Sequence, residues 1–269
     1  VNPSNNNVML AAAANFTIGN DTYNGSVLIS KDKGDSCSVL KTFSTEWKEE
    51  AIKILYKNEK EVYVATSSNL YYSDNNLNSW ELIFTLDEKQ EYIKHTAQQI
   101  VDFELLEDET IWVSSTQKWG ATGQVWRTFN KGKTWEALIV SNKLKGLENK
   151  KVMCVKLASP LKSTSVIAVS IASDVFIYKS TDNAKSYTKI GEFKTDYETG
   201  DAKASKFEIE LSKEDTNKIY FGFIEFFDWT TKQGLRRLSP TQNISEQEHD
   251  DVRRMKVYIN PLTNKEFVL

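Results

Sequence analysis

Carboxylates set among aromatic side chains are the residues of this sequence best equipped for chemistry. Glu225 and Asp228 bracket Phe226 and Phe227, and Trp229 follows. A carboxylate pair is the equipment of glycoside hydrolysis, one group protonating the leaving oxygen while the other acts as base or nucleophile. The segment reads as a surface loop, which gives neither carboxyl the burial that lifts a catalytic acid's pKa. Glu225 and Asp228 are therefore expected to bind ligand or face solvent, and no residue stands out as catalytic. His95 lies in a polar connector and His249 in a charged tail, neither with a Ser or Cys beside it. Cys37 and Cys154 are more than a hundred residues apart, which excludes a C-x-x-C metal site. No dense run of oxygen ligands suggests calcium, so neither a metal nor a cofactor is implied.

Charge narrows the partners. The chain carries 34 basic and 37 acidic residues, a net charge of −3. That balance offers no counterion-release footprint for nucleic acid and no polybasic patch for a membrane surface. No apolar run approaches the roughly 18–20 residues of a membrane-spanning helix. The longest, such as 8–14 and 166–169, have the length of strands. With 40% hydrophobic and 26% charged residues, 269 residues can bury one large all-β core or two smaller ones. The opening Val1-Asn2-Pro3 is what a processed or excised chain would show. Sequons at Asn15, Asn20, Asn24 and Asn243 agree with an extracellular or secretory-lumen location.

A repeat organises the elements that must position these residues. Four octets begin at Ser30, Ser73, Thr128 and Ser180. Each has Ser or Thr first, Asp or Asn third (Asp32, Asn75, Asn130, Asp182) and Ser or Thr seventh. Three close on an aromatic: Trp80, Trp135 and Tyr187. Gly34 and Gly132 occupy the fifth position, where a tight turn calls for positive φ. A degenerate fifth copy starts at Ser239, making the period roughly 50 residues. The third-position side chain can accept backbone N–H bonds and hold a hairpin, and the closing aromatic can pack between sheets. The acids Asp32 and Asp182 are accordingly structural rather than catalytic.

Alternating apolar runs supply four strands per unit, with the octet between the third and fourth. The second unit offers 51–56, 61–65, 69–72 and 80–84; the third 100–105, 110–114, 124–126 and 135–140; the fourth 152–157, 166–170, 175–178 and 187–190. The fifth has 207–211 and 218–224, then weaker runs near 235–238. The expected fold is an all-β propeller of about five four-stranded blades, or a segment of a larger one. Its units run approximately 1–44, 45–86, 97–142, 150–193 and 204–250. Asn2-Pro3 and Asn260-Pro261 look like equivalent turns, so 251–269 either closes the ring with the missing first strand or begins a further blade.

The octets resemble the Asp box, S/T-x-D-x-G-x-T-W, also called the BNR repeat. That resemblance implies a propeller whose second-to-third strand loops lie on the face opposite the boxes. Insertions there carry Phe16, Tyr23, Trp119, Phe226, Phe227 and Trp229. They suit a sugar platform or a protein hot spot, or else they fold back between blades. Sialidases are more distant relatives by this resemblance. Their clamp of three Arg from separate blades is missing, since Arg occurs only at 127, 236, 237, 253 and 254. The pattern is most similar to the propellers of sortilin and related vacuolar protein sorting receptors. It is carried by Val125-Trp126-Arg127-Thr128 leading into Gly132-Lys133-Thr134-Trp135. The resemblance implies a non-catalytic propeller that binds a protein, peptide or glycan ligand. A glycoside hydrolase of an Asp-box family, or a scaffold subunit contacting further blades or domains, are the alternatives.

Overall fold

The computed structural model describes residues 1–13, 16–18, 21–44, 50–74, 77–86, 99–106, 109–116, 123–139, 142–148, 150–161, 163–171, 174–194, 207–222, 226–238 and 255–268. The first sheet contains β1 (Met9–Ala13), β2 (Phe16–Ile18), β3 (Asp21–Ser30) and β4 (Ser38–Ser44). Strand β3 pairs with β1 on one side and β4 on the other, and its first residues fold back on β2. Four sheets follow with one topology, each an antiparallel meander in chain order. They are β5 (Ala51–Tyr56) to β8 (Glu81–Thr85) by way of β6 (Val62–Thr66) and β7 (Asn69–Ser73), then β9 (Gln99–Leu105), β10 (Ile111–Thr116), β11 (Val125–Thr128) and β12 (Glu136–Ala137). The fourth holds β13 (Cys154–Leu161), β14 (Thr164–Ile171), β15 (Asp174–Ser180) and β16 (Thr188–Lys194), and the fifth β17 (Glu208–Leu211), β18 (Lys218–Gly222), β19 (Phe226–Thr230) and β20 (Gly234–Arg237). Strands β21 (Val257–Asn260) and β22 (Lys265–Val268) make a hairpin that packs against Tyr220 of β18.

Burial is greatest in the second strands and falls toward the outer ones. Strands β6, β10, β14 and β18 are buried almost throughout, while β8 and β16 are largely exposed. Strands covered on both faces are rich in β-branched and aromatic residues, as VYVAT in β6 and KIYFG in β18 show. The core is the set of layers between successive sheets. Leu70 and Phe84 meet Phe103 and Val113; Trp112 and Val125 meet Ile167 and Tyr178; Ala168 and Ile177 meet Phe221 and Trp229. Innermost strands β5, β9, β13 and β17 stand side by side around the axis. This is a β-propeller of about five blades.

The octets are the joints between third and fourth strands. The Ser30 hydroxyl donates to Asp32 at 2.7 Å and accepts from the Gly34 amide at 2.7 Å. Asp32 in turn accepts the Ser36 amide at 2.9 Å and its hydroxyl at 2.5 Å. Ser180, Asp182, Ala184 and Ser186 repeat this set at 2.7, 2.9, 3.0 and 2.6 Å. In the third octet Asn130 accepts the Thr128 hydroxyl and the Thr134 amide, and its own amide nitrogen donates to the Thr134 hydroxyl. The fifth position has positive φ in all four turns: Gly34 100°, Leu77 71°, Gly132 87° and Ala184 61°. Only Gly fits at 132, because a Cβ there would lie 2.8 Å from the Ile83 Cβ. Closing aromatics dock on the preceding sheet. Trp80 meets Phe43, Trp135 meets Phe84, and Tyr187 meets Trp112, with ring centroids 5.3, 4.7 and 5.8 Å apart. Cys37, last in the first octet, is exposed. Asn75 lies outside the described residues.

These carboxylates should leave an acid signature. The hydroxyl and amide of Ser36, with the Ser30 hydroxyl, hold Asp32 down at about 2. Burial pushes Asp182 the other way, but Ser186 and Ser180 outweigh it and hold it at about 2 as well. Both pKa values lie below the roughly 3.9 of an unfolded Asp. Their stabilising contribution is therefore complete above about pH 4 and is lost as pH falls toward 2. The Asp182→Asn variant keeps the turn, as Asn130 does, and should lose less stability than the native chain over that window. Parallel curves of urea midpoint against pH would contradict this.

Two expectations fail in the fifth blade. Residues 225–234 were expected to be a loop between its second and third strands, whereas Phe226–Thr230 is the third strand itself, paired with both β18 and β20. Its joint to β20 is the short turn 231–233, so no octet stands there, and the copy beginning at Ser239 lies outside the described residues. In the third blade the expected fourth strand 135–140 is only the two residues of β12. In the first blade, the expected insertion between second and third strands is the β2–β3 hairpin.

Candidate functional site

Because the sheets are meanders, first-to-second strand turns share one end of the axis with the octets. That end is built from short bonded turns. Asn2, Asn58 and Asn260 each accept two backbone amides in equivalent Asx turns, Asn2 from Ser4 and Asn5, Asn58 from Lys60 and Glu61, and Asn260 from Leu262 and Thr263. The opposite end is where the fourth strands finish and the first strands begin, and where Ser67 and Ser68 turn β6 into β7; most of the links between blades lie outside the described residues. Within 138–153, Leu138, Leu144, Leu147 and Val152 are buried in the layer between the third and fourth sheets.

Between the two ends runs a ladder of charges on the axial strands. Lys53 of β5 donates to Asp102 at 2.7 Å and Glu104 at 2.5 Å, both on β9. The i, i+2 spacing of these acids puts them on one face of their strand. Asp102 also accepts the Phe103 amide and, at 3.4 Å, the Leu157 amide of β13. Lys156 of β13 donates to Glu208 of β17 at 2.8 Å. Glu210, again two residues on, takes Lys256 at 3.1 Å. Asp102, Glu104, Lys156 and Glu210 are buried, while Lys256 is about half exposed. Desolvation opposes the charge on Lys53, yet Asp102 and Glu104 raise its pKa overall. Burial raises Glu210, and Glu104 across the axis adds to that effect, while Lys256 and Lys213 oppose it. Among the described residues no three His, Cys, Asp or Glu side chains gather as a metal would require.

The architecture recurs in solved structures. The chain is similar to a GH74 xyloglucanase from Xanthomonas campestris (TM-score 0.60, 12% identity, 87% of this chain and 37% of that one). It is also similar to a GH74 enzyme of Niastella koreensis (TM-score 0.58, 12% identity, 87% and 36%). A third similarity is to YCF48 bound to the D1 peptide (TM-score 0.50, 12% identity, 89% and 74%). At such identities the shared property is the fold. The chain spans little more than a third of the two GH74 structures. No protein-family model matches it, and no curated protein is significantly similar in sequence.

Two of the residues proposed from sequence for ligand binding are buried. Asp228 and Trp229 are 1% and 3% exposed in the middle of β19, which corrects their placement on a loop. Asp228 is gripped by the Arg236 guanidinium at 2.9 and 2.5 Å, with the Lys218 ammonium 3.6 Å away. Burial would raise its pKa, but those cations outweigh it and hold the carboxyl below the usual range. It is thus a locked counter-ion rather than a general acid. Phe227 packs at the margin of the layer holding Trp229. Phe16 and Tyr23 face each other as Cα partners in the β2–β3 ladder. Trp119 and Glu225 lie outside the described residues. Sequence reasoning missed the ladder itself. Its signal is a charge interrupting the apolar first strand of each unit, as in Ile52-Lys53-Ile54 and Val155-Lys156-Leu157.

Proposed function

We propose that this protein is a non-catalytic binding propeller that takes a peptide segment of a protein ligand at the end of the axis opposite the octet turns. The observation that carries the reading is the asymmetry between the two ends. One is fixed by serine, asparagine and aspartate bonds within short turns, and at the other the fourth strands end and the sequence sets its longest stretches before the next first strands. Loops set on a rigid scaffold are the usual seat of recognition. Of the rings that could have formed a sugar platform, Trp229 is withdrawn into the core, which weighs toward a peptide over a glycan. YCF48, a propeller of comparable outline, holds the D1 peptide. The octets fit the Asp-box pattern, and with the sortilin-like resemblance this favours a place outside the cell or in the secretory lumen.

Peptide and glycan arrays probed in parallel with the whole chain test the reading. Peptide binding should appear, should weaken at least tenfold when 87–98 or 195–206 is replaced by a short Gly-Ser link, and should survive Asp32→Asn at the other end. Glycan binding alone, binding lost on the octet side, or no binding to either array would overturn it.

A further inference from the structure

One carboxylate of the axial ladder is held through a single oxygen. Glu210 is 6% exposed, its Oε1 takes Lys256, and its Oε2 is buried without a hydrogen-bond partner among the described residues. A buried carboxylate oxygen left unsatisfied is costly, so such an atom marks a place built for a donor.

The cations differ as well. The Lys53 and Lys156 side chains are 16% and 8% exposed, whereas Lys256 is 45% exposed and can swing into solvent. We propose that Glu210 is a receptor for a primary ammonium group, the lysine side chain of a bound peptide, with Lys256 as its resident competitor. This rests on the peptide-binding reading above. An ammonium suits the site because it brings three donors and a compact charge. The incoming ammonium bonds to Oε2 and displaces Lys256 from Oε1, and no covalent bond changes.

The test is calorimetric titration at pH 7 with Nα-acetyl-lysine methylamide, its Nε-acetylated form being the uncharged control. The native chain should bind the charged probe and not the acetylated one. Glu210→Gln should weaken binding at least tenfold, equivalent to about 1.4 kcal/mol. Lys256→Gln should tighten it several-fold by removing the competitor. Equal binding of both probes, no binding of the charged probe, or unchanged affinity in Glu210→Gln overturns the proposal. If Glu210→Gln does not fold, the Lys256 variant decides: tighter binding supports the site, and equal or weaker binding overturns it. The peptide array separates the two readings. Peptides that bind without any preference for lysine, and equally to Glu210→Gln, defeat this site and leave the binding propeller standing.

Discussion

Replacing Gly191 with alanine should destabilise the protein by about 3 kcal/mol or more, on the scale of losing a buried aromatic side chain. Gly191 lies in β16 of the fourth blade, and Trp229 in β19 of the fifth. A Cβ on Gly191 would collide with Cζ2 of the Trp229 indole and stand 3.0 Å from Cη2 and 3.2 Å from Cε2. The ring cannot yield cheaply. It is 3% exposed and wedged among Phe221, Ile177, Ile209 and Leu235 in the layer joining the two blades. Either the indole leaves its rotamer and opens that layer, or the blades separate; overpacking and lost burial then add. Urea unfolding measures the loss, and a red shift of tryptophan emission reports a displaced ring. The cause is separable by a double-mutant cycle. In a Trp229→Leu background the ring atoms that the methyl would strike are gone, so Gly191→Ala should cost far less there, with a coupling well above 1 kcal/mol. A single-variant loss under about 1 kcal/mol, or simple additivity, would refute the packing argument.

The contrast between Trp229 and the octets shows which features were legible in the sequence. The octet is a local device. Ser30, Asp32, Gly34 and Ser36 bond to one another within a few residues, so their types and spacing reveal the turn directly. Strand β19 is specified otherwise. Phe226-Phe227-Asp228-Trp229 looks like an exposed aromatic loop because an acid interrupts it, and nothing local reveals that Arg236 on the adjoining strand neutralises that acid. The axial ladder hides for the same reason over a longer range. Lys53 and Asp102 are 49 residues apart, and Lys156 and Glu208 are 52, so each pair spans about one repeat. Aligning the units by their first strands, rather than by their octets, would have set these charges opposite one another.

That ladder makes the second strong expectation. Lys53→Met should cost about 3–5 kcal/mol at pH 7, the range for breaking a buried ion pair from one side. The methionine fills the space of the lysine stem, so packing is nearly conserved and the loss is electrostatic. It leaves Asp102 and Glu104, both buried and on one face of β9, without the cation that bonds them both. Asp102 keeps the Phe103 and Leu157 amides, whereas Glu104 loses a 2.5 Å charge-assisted bond. With the cation gone, two like charges lie buried on one strand face without the ammonium that bonded both, and that is the source of the loss. Adding Glu104→Gln to Lys53→Met removes one of the stranded charges and should recover part of the stability at pH 7, though Glu104→Gln alone is destabilising. Denaturant midpoints for the three variants at pH 7 decide the matter. No recovery from Glu104→Gln in the Lys53→Met background would mean that the side chain contributes by packing alone, and that the axis is held by the apolar layers rather than by its charges.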